Sequence, residues 1–303
     1  MTSTVVIVTS CTQRKAGRER VDLDRLPEAT SLLRLAQTWR GVVGKADANM
    51  PARNLYQGRS IVDTAAVAAI LETTWYVVSA GLGLVRSDLP VPAYECTVAA
   101  GSELHRRLRA LDCSAAGWWN ALTYAHQAPL SRLIAGAPTL LALPSSYLRM
   151  VQDDLTQVMP SRARYLRIFT SAAGAQCVPD HLKGCVMPYD GRLESVRGFA
   201  GTQSDFAQRA LRHFVEILQA TLMPLEKARD AVSTSLAHRR RRPRSVGQRM
   251  TDDEIRRVLR SQWRRHSGRS TKLLRYLRDE ARISCEQKRF SRLWQELSVQ
   301  LQA

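Results

Sequence analysis

The sequence is short of acidic residues, of paired metal ligands and of long apolar runs. Its 303 residues include 27 Asp and Glu against 45 Lys and Arg, so the formal charge is +18. This balance argues against an ordinary acidic enzyme with neutral partners. Hydrophobic residues still reach 45% and charged residues 24%, which is typical of a globular chain. The length favours two domains over one large domain.

The sequence offers no segment for a membrane. It lacks the run of about 18 apolar residues that a transmembrane helix needs. The opening residues MTSTVVIVTSC have no basic segment, and their apolar run is too short for a secretory signal. We therefore expect a cytoplasmic protein without a membrane partner.

Familiar ligand and cofactor motifs are also missing. The six cysteines are spread along the chain with no C-x-x-C pair, which favours free thiols over disulfides or zinc. The six histidines form neither H-x-x-x-H nor H-E-x-x-H. There is no Walker loop and no G-x-S-x-G, and Gly81–Leu84 lacks the third glycine of a dinucleotide motif. We expect no metal and no cofactor.

The positive charge is concentrated near the carboxyl end of the chain. Residues 238–303 carry a net +12 and the first 237 residues only +6. Lys and Arg side chains that neutralise phosphates release condensed counterions, so such a segment is typical of a protein that binds a polyanion. Nucleic acid is the first candidate.

The first part of the chain alternates strand-like and helical patterns. Short runs rich in β-branched residues predict buried strands over 4–9, 75–79, 139–143 and 165–170, with helices between them. The segment that follows the second strand, AGLGLVRSDLPVPAYE, is rich in Gly and Pro and is predicted to be a long loop. We expect an α/β domain over 1–222 with an open, mostly parallel sheet. Ligands of such sheets bind beyond the carboxyl ends of the strands.

The remainder is predicted to be a linker and a small helical domain. Residues 223–250 contain Pro224 and HRRRRPR, which favour an Arg-rich linker. Residues 251–303 begin with a capping box from Thr251 to Glu254, and their apolar spacing indicates three short helices. We expect a basic, helix-turn-helix-like, nucleic-acid-binding domain.

Polar side chains are abundant in the loops that follow the predicted strands. Hydroxyls, a thiol and glycines form a candidate base pocket: Ser10, Cys11, Tyr56, Gly58, Ser79, Gly81, Tyr94, Ser145, Ser146 and Tyr147. Asp190 and Glu194, in a polar loop region after the last predicted strand, are expected at the same edge of the sheet. Candidate phosphate or DNA ligands are Arg14, Lys15, Arg53, Asn54, Arg59, Arg239, Arg240, Arg241, Arg242, Lys288, Arg289 and Arg292.

Asp88 and Glu95 are the candidate catalytic carboxylates. Two carboxylates in one loop suit the activation of water or the stabilisation of an oxocarbenium-like sugar. The alternatives are structural, because Asp88 could cap a turn and Glu95 could pair with an arginine. Cys11 likewise has two interpretations, an activated thiolate and a structural thiol, of which we favour the second.

Three segments carry a family resemblance: SCTQRK, ARNLYQGR and WYVVSAGLGLVRSDLPVPAYE. Together they resemble bacterial and phage proteins related to the YaaA peroxide-stress family, and the domain attached to archaeal tRNA-guanine transglycosylases. The resemblance covers roughly the first half of the chain. It implies a fold similar to uracil-DNA glycosylases, in which residues 10–15 and 144–147 occupy the loops that build the base pocket.

The sequence departs from the glycosylase pattern at two places. Ser10-Cys11-Thr12 stands where uracil-DNA glycosylases have their water-activating Asp motif, and Ser145-Ser146 stands where they have His. Catalysis would therefore depend on other groups, and Asp88 and Glu95 are the natural carboxylates.

Charge and resemblance together predict a DNA glycosylase. Its substrate would be a modified, bulky or glycosylated base in phage DNA, removed as antiviral defence by base flipping. The expected partner is double-stranded DNA with that base, with no obligate protein partner. The alternatives are a DNA-binding stress protein without catalysis and a transglycosylase that inserts a 7-deazapurine into tRNA or DNA.

Overall fold

The computed structural model describes residues 5–17, 20–124, 129–241 and 248–302. The chain divides into two compact units, Met1–Arg241 and Arg242–Ala303. Over the ranges just given, no helix combines the length and the apolar character needed to cross a bilayer.

A five-stranded sheet forms the centre of the first unit. Its strands are β1 (Val6–Ser10), β2 (Trp75–Ser79), β3 (Gly83–Arg86), β4 (Thr139–Ala142) and β5 (Leu166–Phe169). The order is β3-β2-β1-β4-β5, and only β3 runs antiparallel to its neighbour. Thr9 is in register with Val77 on one side and Ala142 on the other. The predicted α/β class with a mostly parallel sheet is confirmed.

Helices cover the sheet and connect its strands. In the first unit they are α1 (Leu32–Val43), α2 (Ala52–Leu55), α3 (Arg59–Ile70), α4 (Glu103–Ala110), α5 (Ala115–Leu122), α6 (Pro129–Gly136), α7 (Ser145–Met150), α8 (Gln152–Thr156), α9 (Ala172–Ala175), α10 (Phe206–Arg212), continued by the π-helical turn His213–Ile217, and α11 (Leu225–Ala237). Short 3-10 helices span Leu23–Arg25, Pro160–Tyr165, Asp180–Cys185, Gly191–Ser195 and Gln203–Asp205.

The segment predicted as one long loop after β2 is largely paired. Ser79 faces Gly83 in a tight hairpin, so β3 follows β2 directly. Gly83 has φ +76°, which glycine adopts without strain. Two more short strands, Pro90–Val91 and Tyr94–Glu95, pair with Met50–Pro51 and Val21–Asp22. Of the residues that indicated a loop, Gly83 forms the hairpin turn, whereas Pro90 lies within one of the short strands.

The first unit extends further along the chain than the predicted boundary at residue 222. Pro224 is the N-cap of α11, and Ala228, Val232 and Leu236 are fully buried in the core of this unit. Their spacing of four residues places them on one helical face. The first half of the predicted linker is therefore a packed helix, and residues 242–247 of that linker lie outside the described residues.

The second unit packs α12 (Asp252–Gln262), α13 (Ser270–Arg275) with its π-helical continuation Tyr276–Glu280, and α14 (Gln287–Gln302). A short parallel pair joins Gln248–Arg249 to Ile283–Ser284. The core includes Leu259, Leu277 and Leu293. The predicted capping box is confirmed, because the Glu254 amide donates to Thr251 Oγ1 and the Glu254 carboxylate accepts from the Thr251 amide.

Candidate functional site

The loop after β1 folds back onto the turn after α2. The Cys11 amide donates to the Val78 carbonyl at 3.0 Å, which places Cys11 beyond the edge shared by β1 and β2. Lys15 then forms an antiparallel bridge with Tyr56. This loop therefore brings its side chains to the carboxyl edge of the sheet, where ligands of parallel α/β sheets bind.

Side chains from several loops meet there in a buried group that we name the Lys15 cluster. Tyr94 Oη lies 2.6 Å from Ser79 Oγ and 3.0 Å from Tyr56 Oη. Ser79 Oγ also accepts the amides of Gly81 and Leu82, at 3.2 and 2.9 Å. With two amides bound to its oxygen, the Ser79 hydroxyl is left to donate its hydrogen to Tyr94. The members of the cluster are Cys11, Lys15, Tyr56, Ser79, Tyr94 and Tyr147.

Tyr147 brings the strand β4 side of the sheet into the same cluster. It lies in the first turn of α7, and its Oη is 2.9 Å from Cys11 Sγ. Burial raises the pKa of Tyr94 and of Tyr147 well above the usual value, and a negative charge on Cys11 would raise it further. Both phenols therefore stay protonated and can act as hydrogen-bond donors.

Lys15 is the unusual member of the cluster. Its side chain is 4% exposed, and among the described residues its Nζ has no hydrogen-bond partner. The amine lies 4.6 Å from the centroid of the Tyr94 ring, which is close enough for a cation–π interaction. Lysine is almost never fully buried without a partner, so this amine is the group in the cluster most in need of a ligand. Sequence reasoning assigned Lys15 to phosphate, whereas the structure places it among the base-pocket candidates.

Two indoles and a glycine fix the backbone that follows Ser79 of the cluster. Trp39 Nε1 donates to the Gly81 carbonyl at 2.7 Å, and Trp118 Nε1 donates to the Ala80 carbonyl at 2.8 Å. A Cβ on Gly81 would lie 2.6 Å from a ring carbon of Tyr94, so only glycine fits there. Nothing local in the sequence reveals that either indole bonds to a distant carbonyl.

The two candidate carboxylates lie outside the hydrogen bonds of the cluster. Asp88 Oδ1 lies 2.6 Å from Arg86 Nε, and this bond lowers the pKa of Asp88 below its usual value. Glu95 Oε2 lies 3.3 Å from Arg20 Nη1, which fits the alternative that Glu95 pairs with an arginine. Successive residues of a strand point to opposite sides, so the buried Tyr94 directs Glu95 away from the cluster. In the described parts of the chain no Asp or Glu hydrogen-bonds to a cluster side chain.

The other candidates of the first unit surround the cluster or stabilise the fold. Ser10 is buried at the end of β1, Ser145 and Ser146 are half-buried in the first turn of α7, and Gly58, Arg14, Arg53 and Asn54 are exposed. Arg59 donates to the carbonyls of Gly198 and Ala200 and is therefore structural. Asp190 binds Arg192 and Arg241, and Glu194 accepts from Arg209.

A second polar group at the same sheet edge was not predicted. Gln208 Nε2 donates to Thr9 Oγ1 at 2.9 Å and to the Ala142 carbonyl at 3.0 Å. Gln208 Oε1 and Thr170 Oγ1 are buried and have no partner among the described residues. Gln208 lies within a long helical pattern, and nothing in that pattern indicates that its side chain faces the ends of β1 and β4.

The cationic candidates near the carboxyl end differ in their freedom to bind phosphate. Arg289 Nε and Arg292 Nη2 both bind Asp252, at 2.6 and 2.5 Å, and the bond from Arg289 lowers the pKa of Asp252. Arg239 and Arg240 are exposed, while Arg241 pairs with a carboxylate of the first unit. The side chain of Lys288 and the whole of Arg242 lie outside the described residues.

No set of three or more His, Cys, Asp or Glu residues is placed to hold a metal ion, as far as the structure describes the chain. Comparison with protein-family models, with curated proteins and with solved structures gives no match to this chain.

Proposed function

We propose that this protein is a DNA glycosylase that removes a modified base from phage DNA, with a uracil-DNA-glycosylase-like first unit and a helix-turn-helix-like second unit. The observation that carries the proposal is the convergence of the Lys15 cluster at the carboxyl edge of the sheet. Five of its members were selected as base-pocket residues from loops far apart in sequence. The resemblance of residues 10–15 and 144–147 to pocket loops supports the same function.

The chemistry that the cluster can supply is stabilisation of the departing base. When the N-glycosidic bond breaks, its electron pair goes to the base, and the sugar becomes an oxocarbenium-like cation. An ammonium and protonated phenols in a site without bulk water stabilise such an anion strongly. Lys15 Nζ is free to take this role, and Tyr94 stays a donor because burial raises its pKa.

A water molecule must complete the reaction at the sugar carbon and lose a proton to a base. Of the two carboxylates, Glu95 fits better, since its partner Arg20 also donates to the Lys15 carbonyl at 2.7 Å. The partner of Asp88 is Arg86, on the hairpin strand β3. We therefore assign the water-activating role to Glu95. Because its carboxylate binds Arg20 and points away from the cluster, it would first have to release Arg20 and turn toward the water.

The decisive experiment uses the full chain and duplex DNA that contains glucosylated 5-hydroxymethylcytosine, beside the same duplex without the modification. Free base is measured by mass spectrometry and abasic sites by alkaline cleavage. We expect release from the modified duplex only. If a panel of modified phage DNAs yields no free base, the glycosylase proposal is wrong.

Lys15→Met is expected to reduce base release about 100-fold or more, as the loss of one preorganised donor does in other enzymes. The matched control is Lys45→Met, which removes an exposed lysine. Because Lys15→Met removes a buried charge without a partner, we expect no loss of thermal stability. Equal rates for both variants would exclude Lys15 from catalysis without excluding the glycosylase activity.

A binding protein without catalysis is the second candidate. The observation in its favour is that the cluster is closed, with side chains no more than 7% exposed, and that both candidate carboxylates are paired with arginines. Salt-dependent DNA binding that Lys15→Met and Glu95→Gln leave unchanged, together with no released base, would select this function.

A further inference from the structure

A cavity of about 690 Å³ lies at the amino-terminal edge of the sheet, where Val5, Thr139 and Arg167 mark the beginnings of β1, β4 and β5. The Lys15 cluster lies beyond the other ends of these strands. Cavities of this size take small organic ligands. It is therefore a separate site from the one that the proposed function uses.

Arg167 is the central polar residue of this cavity. It is the second residue of a four-residue strand that is otherwise apolar, and it is 5% exposed. Its Nη atoms donate to the carbonyls of Arg164, Leu166 and Met223, but Nε has no partner among the described residues. The cavity lining contains no Asp or Glu within the part of the chain that is described. Burial without a counter-ion lowers the pKa of Arg167.

Two more unpaired donors line the same cavity. Arg162 Nε and Thr221 Oγ1 are buried and, like Arg167 Nε, lack a hydrogen-bond partner among the described residues. Buried polar groups without partners are uncommon, and each costs free energy. Three side chains that line one cavity thus each carry a buried donor without a partner, and two of these donors are on guanidinium groups. Such a set suits an oxyanion that accepts several charge-assisted hydrogen bonds.

Apart from Thr139 and Arg164, the remaining lining of the cavity is mostly apolar. Leu140, Leu222 and Leu225 line it, and Leu222 is 88% exposed. The Tyr165 ring adds a flat surface, with the guanidinium carbons of Arg162 and Arg164 at 4.9 and 4.8 Å from its centroid. A ligand that covers these side chains would bury apolar surface and so gain affinity.

We propose that this cavity binds a small organic anion, with a phosphate or carboxylate head on Arg162, Arg167 and Thr221 and an apolar body along the leucines. The ligand class follows from the chemistry of the walls. The inference does not depend on the glycosylase proposal, because no residue of the Lys15 cluster takes part in it.

Titration calorimetry on the full chain tests the proposal with two anions that share an apolar body, hexyl phosphate and hexanoate, each compared with neutral hexan-1-ol. We expect at least one anion to bind ten-fold or more tightly than its neutral partner. Because the two anions have the same body, their comparison separates a phosphate head from a carboxylate head. The proposal is overturned if neither anion binds more tightly than its neutral partner.

Arg167→Met keeps the length of the side chain and removes its donors. We expect it to weaken binding of the preferred anion at least ten-fold, as the loss of a charge-assisted hydrogen bond does. The control is Arg229→Met, because Arg229 also donates to backbone carbonyls, those of Gly184 and Val186, but lies outside the cavity. Thr221→Val gives a second, milder variant that keeps the charge. Unchanged binding in both Arg167→Met and Thr221→Val would place the anion elsewhere and overturn the proposal.

Discussion

Arg209 and Lys15 are both buried cations of the first unit, and their surroundings are opposite. Arg209 is fully buried, and its guanidinium donates to the carboxylates of Asp205 and Glu194, at 2.7 and 2.9 Å, and to the carbonyls of Phe199 and Thr202. Lys15 Nζ has no such acceptor among the described residues. A cation whose nitrogens all donate to acceptors stabilises the fold, whereas one without partners is available to a ligand.

Arg209→Met should therefore destabilise the protein by about 3–5 kcal/mol, because it leaves two partly buried carboxylates without their partner. Urea unfolding followed by tryptophan fluorescence measures the change. Arg106→Met is the control, since Arg106 pairs with Glu28 and Glu103 at the surface and such pairs contribute about 1 kcal/mol or less. Similar losses for the two variants would contradict the structural role given to Arg209.

His213 makes the stability of the first unit depend on pH. Its Nδ1 lies 2.9 Å from Tyr189 Oη, and burial, helped by the charge of Arg239, lowers the pKa of His213 from 6.5 to about 4. Between pH 6.5 and about pH 4, His213 is protonated in the unfolded chain but stays neutral in the folded chain. The stabilising effect of the neutral imidazole is thus complete above pH 6.5 and is lost between pH 6.5 and 4.

The loss amounts to about 3 kcal/mol, at about 1.4 kcal/mol for each pKa unit. We expect the difference in free energy of unfolding between the wild type and His213→Gln to shrink by this amount from pH 7 to pH 4. Urea titrations at several pH values measure it. For His105→Gln, which changes an exposed histidine, the difference should stay constant, and a constant difference for His213→Gln would show that His213 is not the titrating group.

At the scale of elements, local patterns predicted the central sheet well. The strands β1, β2, β4 and β5 are short, buried and rich in β-branched or large apolar residues, which is the local signal for a parallel sheet. α11 was missed because its apolar stripe is narrow and follows a proline, two features also typical of a linker. Strand β3 was missed because Gly81 and Gly83 favour a loop, whereas the hairpin depends on a backbone turn at Gly83.

The sequence predicts at which edge of the sheet the candidate site lies, but not which of its side chains contact one another. That Ser10, Ser79 and Tyr147 lie at one sheet edge follows from strand order alone. The burial of Lys15 depends on the bridge to Tyr56, which lies 41 positions away in the chain and belongs to no regular pattern. The pairing of Glu95 with Arg20 has the same non-local origin.

At the scale of the whole molecule, charge is distributed unevenly. Residues 238–303 carry a net +12, yet Arg289 and Arg292 form ion pairs with Asp252. Arg239 and Arg240, at the end of the first unit, are exposed. Exposed arginines at the beginning of the basic segment are therefore the better candidates for phosphate contacts.

If the chain binds a DNA duplex as proposed, the double change Arg239→Gln and Arg240→Gln should lower the salt dependence of that binding. Each phosphate contact contributes about 0.9 to the slope of log K against log salt, so the slope should fall by about 2. Fluorescence anisotropy at several salt concentrations measures it. The control, Arg25→Gln with Arg34→Gln, removes two exposed charges far from this segment in sequence. A slope that falls equally in both variants would indicate that the overall positive charge of the protein attracts DNA and that Arg239 and Arg240 make no specific phosphate contacts.

The indole of Trp39 is a fluorophore in contact with the Lys15 cluster. Its ring lies edge-on to Tyr94, with 6.3 Å between centroids, and its N–H is held by the Gly81 carbonyl. A molecule that entered the Lys15 cluster and displaced the Tyr94 phenol would change the polarity and the quenching around this fluorophore. We therefore expect emission from Trp39, isolated by comparison with Trp39→Phe, to report occupancy of the cluster without any label.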